Sequence, residues 1–230
     1  MSRPAILDPA AAYALWAATY PAQAANPVMR AEERAMLELM PASLQGSPVL
    51  DAGCGRGRYL LHALRRGATR ITGVDLSPQM LEGARLELDA CRGSAEITLL
   101  QGDLSSIALP EGWAQLTVCG LVIGHLDDLL QTLSELRRVT RPGGTLLCSD
   151  VHPIGHALGW VRDFKSGNRR YAVRHTRHLY SHWHSACTAL GLQIERVLEP
   201  MLDAADIPVG AHFDPVALEV PVALVLKLKR

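Results

Sequence analysis

The stretch Val49-Leu-Asp-Ala-Gly-Cys-Gly-Arg-Gly-Arg-Tyr-Leu60 decides the fold. Ser47-Pro-Val-Leu-Asp51 is a short apolar run ending in an acid, which reads as a strand. Arg58 to Arg66 reads as a helix closed by Gly67. Between them stand Gly53, Gly55 and Gly57. Glycines between a strand and a helix let backbone approach a ligand at the C-terminal edge of a parallel sheet. The dinucleotide fingerprint GxGxxG would need glycine at position 58, where Arg58 stands.

Working outward, the alternation of strands and helices continues. Ala10 to Tyr20 reads as a short helix, and Met29 to Met40 as a second, with Met29, Met36, Leu37 and Met40 at helical spacing and Pro41 as the stop. Arg70–Asp75 is an expected strand. Ser77-Pro78 opens a helix with an N-cap and a first-turn proline. Ala95–Leu100, Gln115–Cys119 and Thr145–Ser149 are expected strands, and Leu126–Val139 a helix stopped by Pro142-Gly143-Gly144. Nearly all-apolar strands separated by helices imply a parallel sheet covered on both faces. After Asp150 the rhythm changes. Residues 151–168 hold several turn formers, and Arg169 to His175 reads as a strand. Ser181 is expected to cap a helix to Leu190, with Gly191 as its C-terminal glycine. Gln193–Leu198 and Val216–Lys229 complete the sheet, with Pro221 marking an edge or a bulge.

The acids select the ligand. Asp51 and Asp75 end the first two strands of this series and Asp103 follows the third, so all three converge on one sheet edge. Three carboxylates repel a pyrophosphate and suit a ligand with positive charge and hydroxyl or amine donors. A carboxylate at Asp75 offers acceptor oxygens to both hydroxyls of a ribose. Asp103 suits an adenine amine, and Asp51 an ammonium group. An adenosyl sulfonium amino acid meets all three demands.

At this point the chain resembles the class I S-adenosylmethionine-dependent methyltransferases of the bacterial small-molecule type. The matching residues are VLDAGCGRG (49–57), GVDLSPQML (73–81), LLQGDLSSIALP (99–110), LTVCGLVIGHLDD (116–128) and RPGGTLLCSD (141–150). The resemblance implies an α/β, Rossmann-like, doubly wound seven-stranded sheet, mostly parallel with the last strand antiparallel. It also implies helices on both faces and an N-terminal helical lid. It implies that Asp51, Gly53 and Gly55 hold the methionine part of S-adenosylmethionine, Asp75 with Leu76 and Met80 the ribose side, and Asp103 with Leu104 the adenine. Gly120 would lie by the cofactor's amino group. The segment Tyr13-Ala-Leu-Trp-Ala-Ala-Thr-Tyr20 resembles an aromatic lid, although Ala14 stands where an acid is usual. Tyr20 and Arg30 are candidates for the cofactor carboxylate. The expected organisation is one domain, 1–230, with a lid at 1–46, a cofactor core at 47–150, a substrate-cap insertion at 151–180 and the rest of the sheet at 181–230.

The acceptor side rests on fewer signals. His125 follows the fourth strand and is the candidate base, since a neutral imidazole can take a proton from an attacking group. His152, His156, Arg174 and His175 are candidate substrate contacts. Arg162, Lys165, Arg169, Arg170, Arg174 and Arg177 form a basic cluster that suits an acidic or phenolic substrate or a solvated loop. His175, His178, His182 and His184 match no metal-site spacing, and residues 182 and 184 cannot share a helix face. No metal is expected. Cys54 reads as space-filling.

Composition bounds the rest. The 230 residues are 48% hydrophobic and 20% charged, an ordinary globular balance. Basic and acidic side chains number 23 each, which disfavours a global grip on nucleic acid. The five cysteines include no CxxC pair, as in a reducing compartment. Pro21 and Pro27 interrupt the uncharged stretch from Pro9 to Met29, which is otherwise too short to span a bilayer. The expectation is a cytoplasmic enzyme that moves a methyl group to a small-molecule acceptor, with neither nucleic acid nor membrane as partner and oligomeric state open. A repurposed or silent cofactor-binding module and an NAD-dependent oxidoreductase are the alternatives.

Overall fold

The computed structural model describes residues 4–91, 93–210 and 213–230. The chain opens with β1 (Ala5–Leu7), α1 (Pro9–Trp16) and α2 (Pro27–Leu39). The core follows as β2 (Pro48–Ala52), α3 (Arg58–Arg65), β3 (Arg70–Asp75), α4 (Pro78–Asp89), β4 (Glu96–Gln101), β5 (Ala114–Gly120), α5 (Leu129–Val139) and β6 (Thr140–Val151). An insertion carries α6 (Pro153–Ala157), β7 (Asp163–Ser166) and β8 (Arg169–Val173). The chain closes with α7 (Tyr180–Leu190), β9 (Gln193–Leu198) and β10 (Ala223–Lys229).

Seven strands form the main sheet in the order β4-β3-β2-β5-β6-β10-β9. Pairing is parallel from β4 to β6, and β10 runs antiparallel to both β6 and β9. Alternate side chains feed two cores. Val49, Val118 and Leu147 face the layer of α2, α3 and α4, with Met36, Leu60 and Leu88. Leu50, Cys119 and Leu146 face α5 and α7, with Leu133, Leu136 and Trp183. Both faces are covered, so the strands read as continuous apolar runs.

Local chemistry sets the ends. Ser77 caps α4 by accepting the Met80 N–H, and Asn26 caps α2 by accepting the Met29 N–H. The structure corrects four expectations. The helix expected to reach Tyr20 ends at Trp16. Ser181 does not cap α7: Leu179 holds the N-cap position, and the His182 ring accepts its N–H. The turn at Pro142-Gly143-Gly144 stops no helix, because α5 ends at Val139 and extended backbone begins at Thr140. Pro221 marks no edge, since it precedes β10, and β10 lies inside the sheet.

A second sheet, β1-β8-β7, was not foreseen. The N-terminal strand pairs in parallel with β8 through Ala5 and Tyr171, Ile6 and Ala172, and Leu7 and Val173. Ala12 of α1 packs with Phe164 and Val173, and Trp16 stacks on Phe164 with ring centroids 4.7 Å apart. The N-terminal segment and the insertion therefore build one cap over the sheet edge.

Candidate functional site

The three acids meet where the parallel strands end. One cavity of about 410 Å³ lies there, a size typical of small-molecule sites. Its wall includes Asp51, Gly53, Gly55, Asp75, Leu76, Met80, Asp103, Leu104 and Gly120 from the core, with Tyr20, His125 and Arg174. Arg30, His152, His156 and His175 do not line it. Arg30 donates to the Ala24 carbonyl at 3.3 Å. His152 caps α6 through the Ile154 N–H and meets Glu199 at 3.1 Å.

The glycine loop is held by backbone. Gly53 and Cys54 N–H both donate to the Val74 carbonyl, at 2.7 and 3.0 Å. Gly53 has φ of +77°, and a Cβ there would meet Val122 at 2.5 Å, so no larger residue fits. At Gly55 a Cβ would meet nothing within 4 Å, which leaves its backbone bare toward the cavity. Asp75 accepts the Gly55 N–H at 2.8 Å on one oxygen and the Ser77 N–H at 2.9 Å on the other. Each oxygen keeps a lone pair for a hydroxyl. Asp103 holds the next turn through the Ser105 N–H at 2.7 Å.

Asp51 is 2% exposed, and its Oδ2 has no hydrogen-bond partner. Burial pushes its carboxyl up to about 8, against the pull of Arg58. A buried carboxylate oxygen without a partner is costly and calls for a donor. An ammonium group supplies one. The donor set thus fits the ammonium, ribose and adenine amine of an S-adenosyl amino acid. Cys54 has its thiol raised well above the ordinary value, chiefly by burial, so it is not a thiolate nucleophile.

Three further residues, Glu32, Tyr13 and Arg162, shape the site. Glu32 is fully buried and accepts from Tyr59 at 2.7 Å, Ser149 at 2.5 Å and Arg58 at 2.9 Å. It joins α2, α3 and β6. The signal was present: Glu32 falls on the same helical face as Met29 and Met36, where a charge is anomalous. Tyr13 sits against His125, with its hydroxyl 2.7 Å from Nε2. The other ring nitrogen of His125 faces the Arg174 carbonyl at 3.3 Å. A carbonyl only accepts, so Nδ1 carries the proton and Tyr13 donates to Nε2. Burial, with Arg162 and His175 adding, lowers His125 to about 3, which keeps it neutral. Gly120 is needed for packing, because a Cβ there would meet the Tyr59 ring at 2.4 Å. Arg162 from the insertion donates to the Tyr20 hydroxyl at 2.7 Å.

The remaining histidines disperse. His175 pairs with Asp150 at 3.0 Å, His178 meets the Leu126 carbonyl, and His182 serves the start of α7. Arg174 is engaged by both Asp8 and Asp127, at 2.9 and 2.7 Å.

Residues 50–148 match the family described as "Methyltransferase domain". An uncharacterised protein of Haemophilus influenzae is 33% identical over 152 residues, covering 64% of this chain and 59% of that protein. A malonyl-[acyl-carrier protein] O-methyltransferase of Serratia marcescens is 40% identical over 112 residues, 49% of this chain and 41% of that protein. The chain thus spans about half the length of these curated relatives. An S-adenosylmethionine-dependent methyltransferase of Mesorhizobium loti, solved by crystallography, superimposes with a TM-score of 0.69 at 25% identity. It covers 87% of this chain and 98% of its own. The matched residues carry the glycine loop and the three acids, and the fold repeats over nearly the whole chain. Residues 50–148 thus carry a methyltransferase domain, and the fold is that of S-adenosylmethionine-dependent methyltransferases.

Proposed function

We propose that the protein transfers a methyl group from S-adenosylmethionine to the oxygen of a small phenolic acceptor. The observation that carries this is the Tyr13–His125 pair in the cavity wall, next to the residues that suit the cofactor. Asp51 accepts from the ammonium, Asp75 orients the ribose and Asp103 reads the adenine amine. When bound, the cofactor supplies a methyl group on a sulfonium, which already leaves readily. The protein's task is alignment of the acceptor and exclusion of water. Pro9, Ala10, Leu121, Val122 and Leu126 give the wall an apolar lining that suits an aromatic ring.

Tyr13 accepts a hydrogen bond from the acceptor hydroxyl while donating to His125 Nε2. As the oxygen attacks, its proton moves to Tyr13 and the Tyr13 proton moves to His125. Burial keeps His125 neutral, so its Nε2 is open to the proton that the attacking oxygen sheds as the new O–CH3 bond forms. Arg174 is occupied by two carboxylates and offers little to a free acid. The same proposal places the enzyme in the cytoplasm, with five free thiols and, among the described residues, no helix long and apolar enough to cross a membrane. Nucleic acid and membrane have no part in it.

The test is labelled methyl transfer to a panel of phenols, carboxylic acids and amines. We expect turnover with phenols, reduced roughly ten- to hundredfold by Tyr13→Phe with S-adenosylhomocysteine affinity unchanged. Turnover confined to acids or amines would overturn the acceptor class. Cofactor binding with no turnover on any acceptor would favour a silent binding module.

A further inference from the structure

Three arginines, Arg56, Arg58 and Arg174, line the cavity, and all three have carboxylate partners. Arg56 pairs with Glu87, Arg58 with Glu32 and Glu33, and Arg174 with Asp8 and Asp127. Arg162 is different. Among the described residues no carboxylate lies within ion-pair distance of it. Its guanidinium sits between 5.6 and 5.9 Å from the ring centres of Tyr13, Trp16 and Tyr20. Its Nε is buried without a hydrogen-bond partner, and its one hydrogen bond among described residues goes to the Tyr20 hydroxyl. Aromatic faces attract a cation but leave its N–H donors unsatisfied. A buried guanidinium of this kind calls for an anion.

Position identifies which anion. Arg162 lies within electrostatic reach of Arg58 and Glu32. Asp51, with its orphan oxygen, feels the same two charges. Asp51 lines the cavity, and Arg162 stands directly behind Tyr13 and Tyr20 of the same wall, toward the end suited to an amino-acid group. We propose that Arg162, delivered by the insertion, is the receptor for the carboxylate of the cofactor's methionine part. Arg30, the sequence-based candidate, points instead to the Ala24 carbonyl. This inference rests on the cofactor assignment above. It gives the cap a role in cofactor selection, because the cation comes from the cap and the ammonium partner from the core.

The experiment is calorimetric binding of S-adenosylhomocysteine and of its decarboxylated analogue, which keeps the amine. Wild type is expected to prefer S-adenosylhomocysteine roughly ten- to hundredfold, the range for a charge-assisted hydrogen bond. Arg162→Met should erase that preference by weakening S-adenosylhomocysteine alone. Arg162→Lys, which keeps charge and apolar stem, should retain part of it and covers the case in which the methionine variant fails to fold. Equal weakening of both ligands would make Arg162 a packing residue of the cap and overturn the inference. Unchanged S-adenosylhomocysteine affinity would overturn it too and assign the arginine to the acceptor. Wild type that binds both ligands equally overturns the inference alone, whereas no binding of either overturns the cofactor assignment with it.

Discussion

Asp51 is a buried carboxyl held protonated near neutral pH. Its folded-state value of about 8 is raised by burial, with Asp75 and Glu32 adding to the effect. An unfolded Asp titrates near roughly 4. The folded chain therefore binds an extra proton between those values, and the protein without ligand loses stability as pH rises through that window. An ammonium set beside the free oxygen favours the carboxylate. Binding of S-adenosylhomocysteine at pH 7 should then release a proton. Calorimetry in buffers of differing ionisation enthalpy should show this as a slope approaching one proton, absent in Asp51→Asn. A flat wild-type response would contradict it. At the same scale, Asp75→Ala should weaken the ligand roughly ten- to hundredfold, by loss of charged hydrogen bonds and of the Gly55 anchor. Asp51, Asp75 and Asp103 were legible from sequence because strand ends fix their meeting place. Glu32 is marked by its place on the apolar face of α2, whereas Tyr13 and Arg162 reach the site across long sequence separations, and no local pattern encodes that.

At the scale of elements, the turns after β2 and β5 are fitted to one another. Gly53 abuts Val122, and Gly120 abuts the Tyr59 ring of α3. Gly120→Ala should cost about 1–3 kcal/mol through overpacking. At roughly 2–4 °C per kcal/mol for a chain of this size, thermal unfolding would drop by several degrees. An unchanged midpoint would show that Tyr59 can move aside freely. Sequence placed β3 and β9 at their observed limits because breakers flank both, Gly67 and Pro78 around β3 and Gly191 and Pro200 around β9. It misread the start of α7 because a serine at position 181 outweighed a histidine at 182 in the usual cap preferences. The Pro-Gly-Gly segment misled in the same way: turn residues mark a boundary but do not say which element they bound.

Over the whole molecule, the main sheet was legible, but the strand pairing that joins the N-terminal segment to the insertion was not. Regular alternation dictates a parallel sheet, whereas β1 is three residues long and pairs with a strand on the far side of the core. Such a partner is invisible to periodicity. The cap is tied down by Arg174, which bridges Asp8 to Asp127, and by the Thr176 hydroxyl on Asp127. Arg174→Ala removes the bridge and leaves the backbone pairing. Limited thermolysin cleavage within 151–178 should accelerate in this variant, and S-adenosylhomocysteine should slow it in both proteins. Equal cleavage rates would show that the strand pairing alone secures the cap.

The parallel pairing of β1 with β8 also sets an order of assembly. Ala5 must wait for Tyr171, so loop closure spans most of the polypeptide. Contacts of such separation form late in folding. On the ribosome the central strands emerge and associate while the first strand still lacks its mate. Closure over the cavity cannot precede the emergence of β8, and any species without that strand carries an open cofactor cleft.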